Sequence, residues 1–328
     1  MSAAASMQAP AGQRWREVVV DDLVRDGEVV LLALRAADGL PLPPYRAGAH
    51  IDVVLPCGLV RQYSLCGADG GAGGYRIGVG RASPSRGGSQ WLHEHLAPGA
   101  RLQIGAPRHL FELSGQATSH RFLAAGIGIT PLLAMAWALD RASESNFTLH
   151  YFVRSVRQGA FVNEIRTSRF AARARIIEGD RETARACLPG VLQAPMPGEH
   201  LYVCGPDGFM TLAVDIARQA GWRADQIHTE AFAAPVDTEG PAFTVVAQKS
   251  GKRVTVTDRQ TIADALDAAG VRLNLSCGQG VCGTCLTRVV SGTPEHRDSF
   301  QTDAEQRANT HITICCSRSR DEVLVLDI

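Results

Sequence analysis

The sequence predicts a multidomain α+β and α/β chain: a small antiparallel β-barrel over 15–115, a parallel sheet covered on both faces over 116–232, and a small third domain over 242–328. Three observations predict it. Short strand-like runs broken by Pro- and Gly-rich turns fill the first part. Near-continuous apolar runs then alternate with helical segments, as strands buried on both faces do. Near the end stand four cysteines, Cys277, Cys282, Cys285 and Cys315, spaced to share one metal cluster.

The start, Met1-Ser2-Ala3-Ala4-Ala5-Ser6, lacks the charged and apolar regions of a signal peptide, so 1–14 is expected to be a flexible tail. Barrel strands are expected at Trp15 to Val20, Glu28 to Arg35, His50 to Leu55, Arg61 to Cys66 and Tyr75 to Gly80. A helix from Ser89 to Leu96 is stopped by Pro98-Gly99. Strands at Arg121 to Ala125, Phe147 to Val153, Arg175 to Glu178, Leu201 to Cys204 and Ile227 to Phe232 make the parallel sheet. Helices at Pro131 to Ala142, Phe161 to Arg169 and Asp207 to Ala220 lie between them. Residues 233–241 read as a linker. Beyond it come a hairpin over Phe243 to Thr257 turning at Ser250-Gly251, and a helix over Ile262 to Ala269 with Thr261 as N-cap and Gly270 as its stop.

Composition narrows the function. Lys plus Arg number 33 and Asp plus Glu 33, so nothing favours a nucleic-acid partner. No apolar run is long enough to span a bilayer. Nine cysteines without a secretory signal fit a reducing cytoplasm, where thiols can hold iron. Cys57, Cys66 and Cys187 have no partner pattern and read as packed or surface thiols.

The cluster cysteines stand as C-x4-C-x2-C, with 29 residues between Cys285 and Cys315. That spacing suits a [2Fe–2S] cluster held by one tight loop and one distant strand. Gly278, Gly280 and Gly283 let the loop fold tightly and turn its N–H groups to the sulfurs. Zinc would want two C-x2-C pairs or mixed His and Cys. Cys315 and Cys316 are adjacent, and the residues alone leave either as the fourth ligand.

Two further motifs read as ligand loops. Arg86-Gly87-Gly88-Ser89 precedes a helix, where free N–H groups and the helix dipole meet an anion, with Arg61 or Arg81 as counter-charge. An ordinary loop and helix cap would look the same. A flavin phosphate gains weight because a one-electron cluster needs a neighbour that accepts a hydride and releases single electrons. Ala124-Ala125-Gly126-Ile127-Gly128-Ile129-Thr130-Pro131 joins a strand to a helix, with Thr130 a natural N-cap, Pro131 a natural first residue, and Gly126 and Gly128 open to a ligand. It is not G-x-G-x-x-G, since Pro131 takes the third Gly position. Cys204-Gly205-Pro206-Asp207 is a second strand exit where a dinucleotide could lie. Cys204 reads equally as a packed thiol or a nicotinamide contact.

In their order these motifs resemble the ferredoxin-NADP+ reductase superfamily, and within it the phthalate dioxygenase reductase and vanillate O-demethylase reductase group. Arg61-Gln62-Tyr63-Ser64-Leu65, Arg86-Gly87-Gly88-Ser89, Gly126 to Pro131, Cys204-Gly205-Pro206, Glu230-Ala231-Phe232, the cluster cysteines and Glu295-His296-Arg297-Asp298 carry the likeness. It implies an FMN-binding barrel, an NAD-binding domain and a C-terminal β-grasp domain of the plant-type ferredoxin kind. Arg61, Tyr63 and Ser64 would contact the flavin; Val79, Gly80 and Arg81 would line its ribityl and phosphate side; Gly87, Gly88 and Ser89 would bind the phosphate. Thr130 would lie near flavin and nicotinamide, with Cys204 and Phe232 by the flavin ring. Cys315 would be the fourth cluster ligand. Ser155 departs from the acidic residue relatives often carry after the Arg, and Arg154 and Arg157 stand beside it.

The expectation is an NADH-dependent reductase passing electrons through FMN and the [2Fe–2S] cluster to a separate terminal oxygenase of the Rieske non-haem iron type. It would work as a cytoplasmic monomer in aromatic oxygenation or demethylation. The rivals are an electron donor to a cytochrome P450 and a non-catalytic iron–sulfur redox-sensing module.

Overall fold

The computed structural model describes residues 15–56, 59–67, 73–81, 88–232, 236–275, 278–280, 283–298 and 300–328. They form two compact units, one up to 232 and one from 236. No helix among the described residues is long and apolar enough to cross a membrane.

The first unit begins with β1 (Arg16–Asp26), β2 (Val29–Ala36), β3 (His50–Val54), β4 (Val60–Ser64), β5 (Tyr75–Gly80), α1 (Gly88–His95) and β6 (Arg101–Ile104). The strands pair antiparallel in the order β4-β3-β6-β1-β2-β5. A bridge between Leu65 and Ile77, and the Cys66 N–H donating to the Arg76 carbonyl at 2.8 Å, join the two end strands. The sheet therefore closes as the predicted barrel. Alternate residues such as Val18, Leu32, Ile51, Val53, Ile77 and Leu102 fill it. Strand β6 was not expected, because four residues carry too little alternation to be seen locally.

The parallel half runs β7 (Ser119–Ala125), α2 (Ile129–Arg141), β8 (Phe147–Val153), α3 (Val162–Thr167), β9 (Ala174–Glu178), α4 (Arg181–Val191), β10 (Glu199–Cys204), α5 (Asp207–Gln219) and β11 (Ile227–Glu230). Its order is β11-β10-β7-β8-β9, parallel throughout. Helix α4 was not among the expected elements, and it contains Pro189 and Gly190, two poor helix formers. Asp180 caps it by accepting the N–H groups of Glu182 and Thr183, each at 3.0 Å. Ala184, Leu188 and Leu192 bury one stripe, and Pro189 falls near the end, where it removes few bonds.

Barrel and parallel sheet share one core, which runs from Val29, Leu31 and Cys66 to Phe122, Leu133 and Phe161. Asp26 Oδ2 accepts the Phe161 N–H at 2.6 Å, holding Phe161 in a left-handed conformation at φ 62°. Glu164 accepts from Arg76 Nη2 at 2.7 Å and from Trp137 Nε1 at 2.9 Å. These bonds offset the roughly 1–3 kcal/mol of backbone strain at Phe161.

The second unit contains β12 (Phe243–Ala247), β13 (Lys252–Val256), α6 (Ile262–Ala268), β14 (Leu286–Ser291), β15 (Pro294–Glu295), α7 (Asp303–Ala308), β16 (His311–Thr313), β17 (Arg318–Ser319) and β18 (Val323–Leu326). The main sheet has the order β13-β12-β18-β14-β16, with β12 and β18 parallel. Thr261 caps α6 in a reciprocal box with Asp264, and Ile262 and Leu266 pack into the core. Residues 233–235 of the expected linker lie outside the described residues. The stretch 236–241 is held to this unit: Arg318, 2% exposed, donates to the carbonyls of Gly240, Pro241, Thr257 and Gln260, and Arg297 Nη1 donates to that of Asp237 at 2.8 Å.

Candidate functional site

Arg61, Tyr63 and Ser64 lie on β4, and Val79 and Gly80 end β5. Helix α1 is tied to β5 because His93 Nε2 sits 2.8 Å from the Val79 carbonyl. Gly88 opens α1, and a Cβ there would stand 2.7 Å from Arg61 Cγ and 2.8 Å from its Nε. Arg61 thus crosses the first turn of the helix. Guanidinium and helix start converge where a phosphate would be met from both sides. Ser89 is half-buried beside it, and Arg81 is exposed just after β5. Gly87 lies outside the described residues.

The loop after β7 makes a short 3-10 turn over Gly126–Gly128 before α2. The expectation that Thr130 is the N-cap is corrected. Gly128 precedes the first helical residue, and Thr130 stands inside the helix with its hydroxyl donating to the Ile127 carbonyl at 3.0 Å. The 3-10 turn carries the helix start back two residues, and Pro131 still falls in the first turn, where its missing N–H costs nothing. Thr130 is 1% exposed. Its methyl carbon lies 3.0 Å from where a Cβ on Gly78 would stand, and Ile127 Cβ 3.2 Å from that of Gly80. Barrel strand β5 and this loop therefore abut.

The second strand exit touches the first. A Cβ on Gly128 would overlap the Cys204 carbonyl and stand 2.6 Å from the Gly205 nitrogen, and one on Gly205 would stand 2.9 Å from Ala125 Cβ. Pro206 then leads into α5. At the neighbouring exit of β8, Arg154 is exposed, and the Val156 N–H donates to Glu178 Oε1 at 3.0 Å. That carboxylate, from the end of β9, ties the loop after β8 and was not singled out from the sequence.

Cys204 is buried and pairs in register with Glu230, the last residue of β11. Burial pushes the Glu230 carboxyl up to about 8, against the pull of its hydrogen bond with Ser64. Its Oε2 has no partner among the described residues. Near neutral pH it is a protonated acid, able to donate. Burial and the nearby Glu230 raise the Cys204 thiol, so it stays protonated and is a poor nucleophile. Glu230 entered the sequence reading only as part of a motif, and nothing in Ile227-His228-Thr229-Glu230 marks the acid as buried. The strand expected to reach Phe232 stops at Glu230, and Phe232 follows it 38% exposed.

The raised carboxyl gives a signed expectation. Between the unfolded value of 4.5 and about 8, the unfolded chain releases a proton that the folded protein keeps, so stability falls as pH rises through that window. Glu230→Gln removes this dependence. Calorimetry should show a Tm advantage for the variant that grows by a few degrees between about pH 5 and pH 8. An equal shift at both values would contradict a buried neutral acid.

In the second unit Cys285 precedes β14 and Cys315 follows β16, each 4% exposed. Cys277 and Cys282 lie outside the described residues. The Gly280 N–H donates to Cys315 Sγ at 3.3 Å. Cys316 Sγ packs on the same glycine but engages Thr313 Oγ1 at 3.3 Å and Ser317 Oγ at 3.8 Å. Gly280 and Gly283 have φ of 73° and 70°; a Cβ on Gly283 would stand 2.5 Å from Phe300 Cε1, and one on Gly280 would stand 2.9 Å from Asp298 Cβ. A tight loop with an amide turned toward a buried thiol fits an iron–sulfur cluster. Of the other thiols, burial pushes Cys66 up to about 12, and Cys187 is half-buried; Cys57 lies outside the described residues.

Residues 245–320 match the 2Fe-2S iron-sulfur cluster binding domain family, and residues 106–227 match the dimethylamine monooxygenase subunit DmmA-like N-terminal domain. A vanillate O-demethylase oxidoreductase from a Pseudomonas species is 44% identical over 304 residues, covering 92% of this chain and 96% of the relative. Phthalate dioxygenase reductase, described as a modular structure for electron transfer from pyridine nucleotides to [2Fe–2S], superposes with TM-score 0.74 at 32% identity over 96% of this chain and 98% of its own. A type IV self-sufficient cytochrome P450 monooxygenase gives TM-score 0.77 at 36% identity over 96% of this chain, which spans 41% of that longer one.

Proposed function

This chain belongs to the family of the vanillate O-demethylase oxidoreductases, and from that premise we propose that it is an NADH-dependent reductase serving a separate oxygenase. Its cofactors are FMN, a [2Fe–2S] cluster and NADH. FMN, when bound, supplies the exchange between a hydride pair and single electrons. The observation that carries the reading is the meeting of β4, β5, the start of α1, and the exits of β7, β10 and β11 within one unit.

Residues 15–115 form the FMN domain, 116–232 the NAD domain, 233–241 the linker and 242–328 the cluster domain. Arg61 with Gly87, Gly88 and Ser89 binds the flavin phosphate, while Val79, Gly80 and Arg81 border the ribityl chain. Tyr63 and Ser64 face the ring. Gly126, Gly128, Gly205 and Pro206 leave room for the dinucleotide. Thr130 and Cys204 shape the place where nicotinamide meets the ring, and Phe232 covers it until nicotinamide enters. Glu230, held neutral beside Ser64, offers a hydrogen-bond donor there. Cys277, Cys282, Cys285 and Cys315 ligate the cluster.

The oxygenase is of the Rieske non-haem iron type, and the reductase acts on it as a cytoplasmic monomer. The likeness to the P450 monooxygenase favours one second reading, in which the acceptor is a cytochrome P450. Reconstitution with each class of acceptor separates the two. NADH is the preferred donor; a higher kcat/KM with NADPH would mean that Arg154 and Arg157 read a 2′-phosphate.

The flavin gives a direct test. Arg61 crosses the first turn of α1, so guanidinium and helix start would together meet a terminal phosphate such as the one FMN carries. Denatured protein is expected to release FMN and no FAD on chromatography. Release of FAD would overturn the flavin assignment.

A further inference from the structure

We infer that the basic cavity beside Cys285 is the docking surface for the oxygenase, which brings acidic side chains to it; this rests on the function proposed above. The cavity, about 360 Å³, is lined by Arg272, Asn274, Cys285, Leu286, Arg288 and His311 among others. Arg272 and Arg288 take part in no ion pair among the described residues. The acid that reaches the cavity, Asp327, is paired with Lys249 at 3.1 Å. A main-chain oxygen of Ile328, the last residue given, accepts the N–H groups of Lys249 and Ser250 at 2.8 and 3.1 Å. Two permanently charged guanidinium groups therefore line the opening without an ionic partner among the described residues.

The unit as a whole carries no such bias. Residues 242–328 hold ten basic and ten acidic side chains, 10 − 10 = 0, so the positive charge at Cys285 is a local feature. An exposed apolar side chain lines the cavity and another stands by the adjoining loop. Leu286 is 37% exposed directly after Cys285, and Phe300 is 39% exposed with its ring against Gly283. An aromatic and an aliphatic anchor beside charged groups suit a protein surface better than a free anion. Electron tunnelling weakens steeply with distance, so an acceptor must cover the surface nearest the cluster ligands. A partner with carboxylates opposite Arg272 and Arg288 would be steered to that place.

The test uses two haem proteins as probes, acidic cytochrome b5 and basic cytochrome c, with NADH as donor. Ferricyanide reduction by the unmodified protein reads the proposed function on its own. Cytochrome b5 reduction is expected to slow as salt rises. Arg272→Gln with Arg288→Gln should slow it about tenfold at low salt, with ferricyanide turnover and cluster absorbance unchanged and cytochrome c reduction equal or faster. Each single replacement should give part of the effect. A cytochrome b5 rate indifferent to salt and to both replacements would overturn the proposal. So would inhibition by inorganic phosphate at constant ionic strength, which would make the cavity a free-anion site.

Discussion

Cys285→Ser and Cys315→Ser are each expected to abolish NADH-driven reduction of protein acceptors while NADH reduction of the flavin survives. The residues proposed for the flavin and for the cluster lie in separate compact units, and Cys285 and Cys315 belong to the second. A serine oxygen is a poor ligand for a cluster that selects thiolates. Loss of the cluster should also lower the stability of the second unit, which is small and gains folding energy from whatever its cysteines bind. Cys277→Ser and Cys282→Ser should behave alike by their place in the spacing. Cys316→Ser should keep the cluster, because that sulfur engages Thr313 and Ser317 while Cys315 receives the Gly280 amide. Visible absorbance reads all five. Loss of the cluster in Cys316→Ser with its retention in Cys315→Ser would reverse the assignment.

Gly128→Ala should damage the first unit as severely, for a steric reason. Gly128 has φ −61° and ψ −4°, which alanine adopts freely, so the backbone does not object. The space does: the new methyl would overlap the Cys204 carbonyl and crowd the Gly205 nitrogen. Backbone cannot rotate away as a side chain can, and the two strand exits must part. The expected cost is about 3 kcal/mol. A displacement of about 1 Å where nicotinamide meets the flavin should cost about a hundredfold in kcat/KM for NADH. Gly126→Ala is the contrast. Its φ of 55° disfavours alanine, but nothing lies within 4 Å of the added carbon, so about 1 kcal/mol is expected. Calorimetry and steady-state kinetics on the pair separate crowding from backbone strain. Equal effects would contradict the close approach of the two loops.

Much of this site was legible because its signals are local. Strands β5 and β8 have the bounds their apolar patterns suggest, and the Gly- and Pro-bearing loops sit at strand exits as those residues require. What was missed depends on distant neighbours. Strands β6 and β15 to β18 are short and exist through pairing across the chain. Thr130 looks like a cap until a 3-10 turn supplies an earlier start. The acidity of Glu230 is a property of the walls that bury it, contributed by another strand and by the barrel. The charge beside Cys285 is likewise invisible in a composition that sums to zero.

Electrons from NADH are expected to reach the cluster through this one chain. Anaerobic titration of the intact protein with NADH, followed by absorbance and electron paramagnetic resonance, tests it most directly. NADH should bleach the flavin and bring up the reduced-cluster signal, and in Cys285→Ser it should bleach the flavin alone. A cluster that stays oxidised under excess NADH and is reduced only by dithionite would contradict it, and would make the protein an iron–sulfur sensor instead.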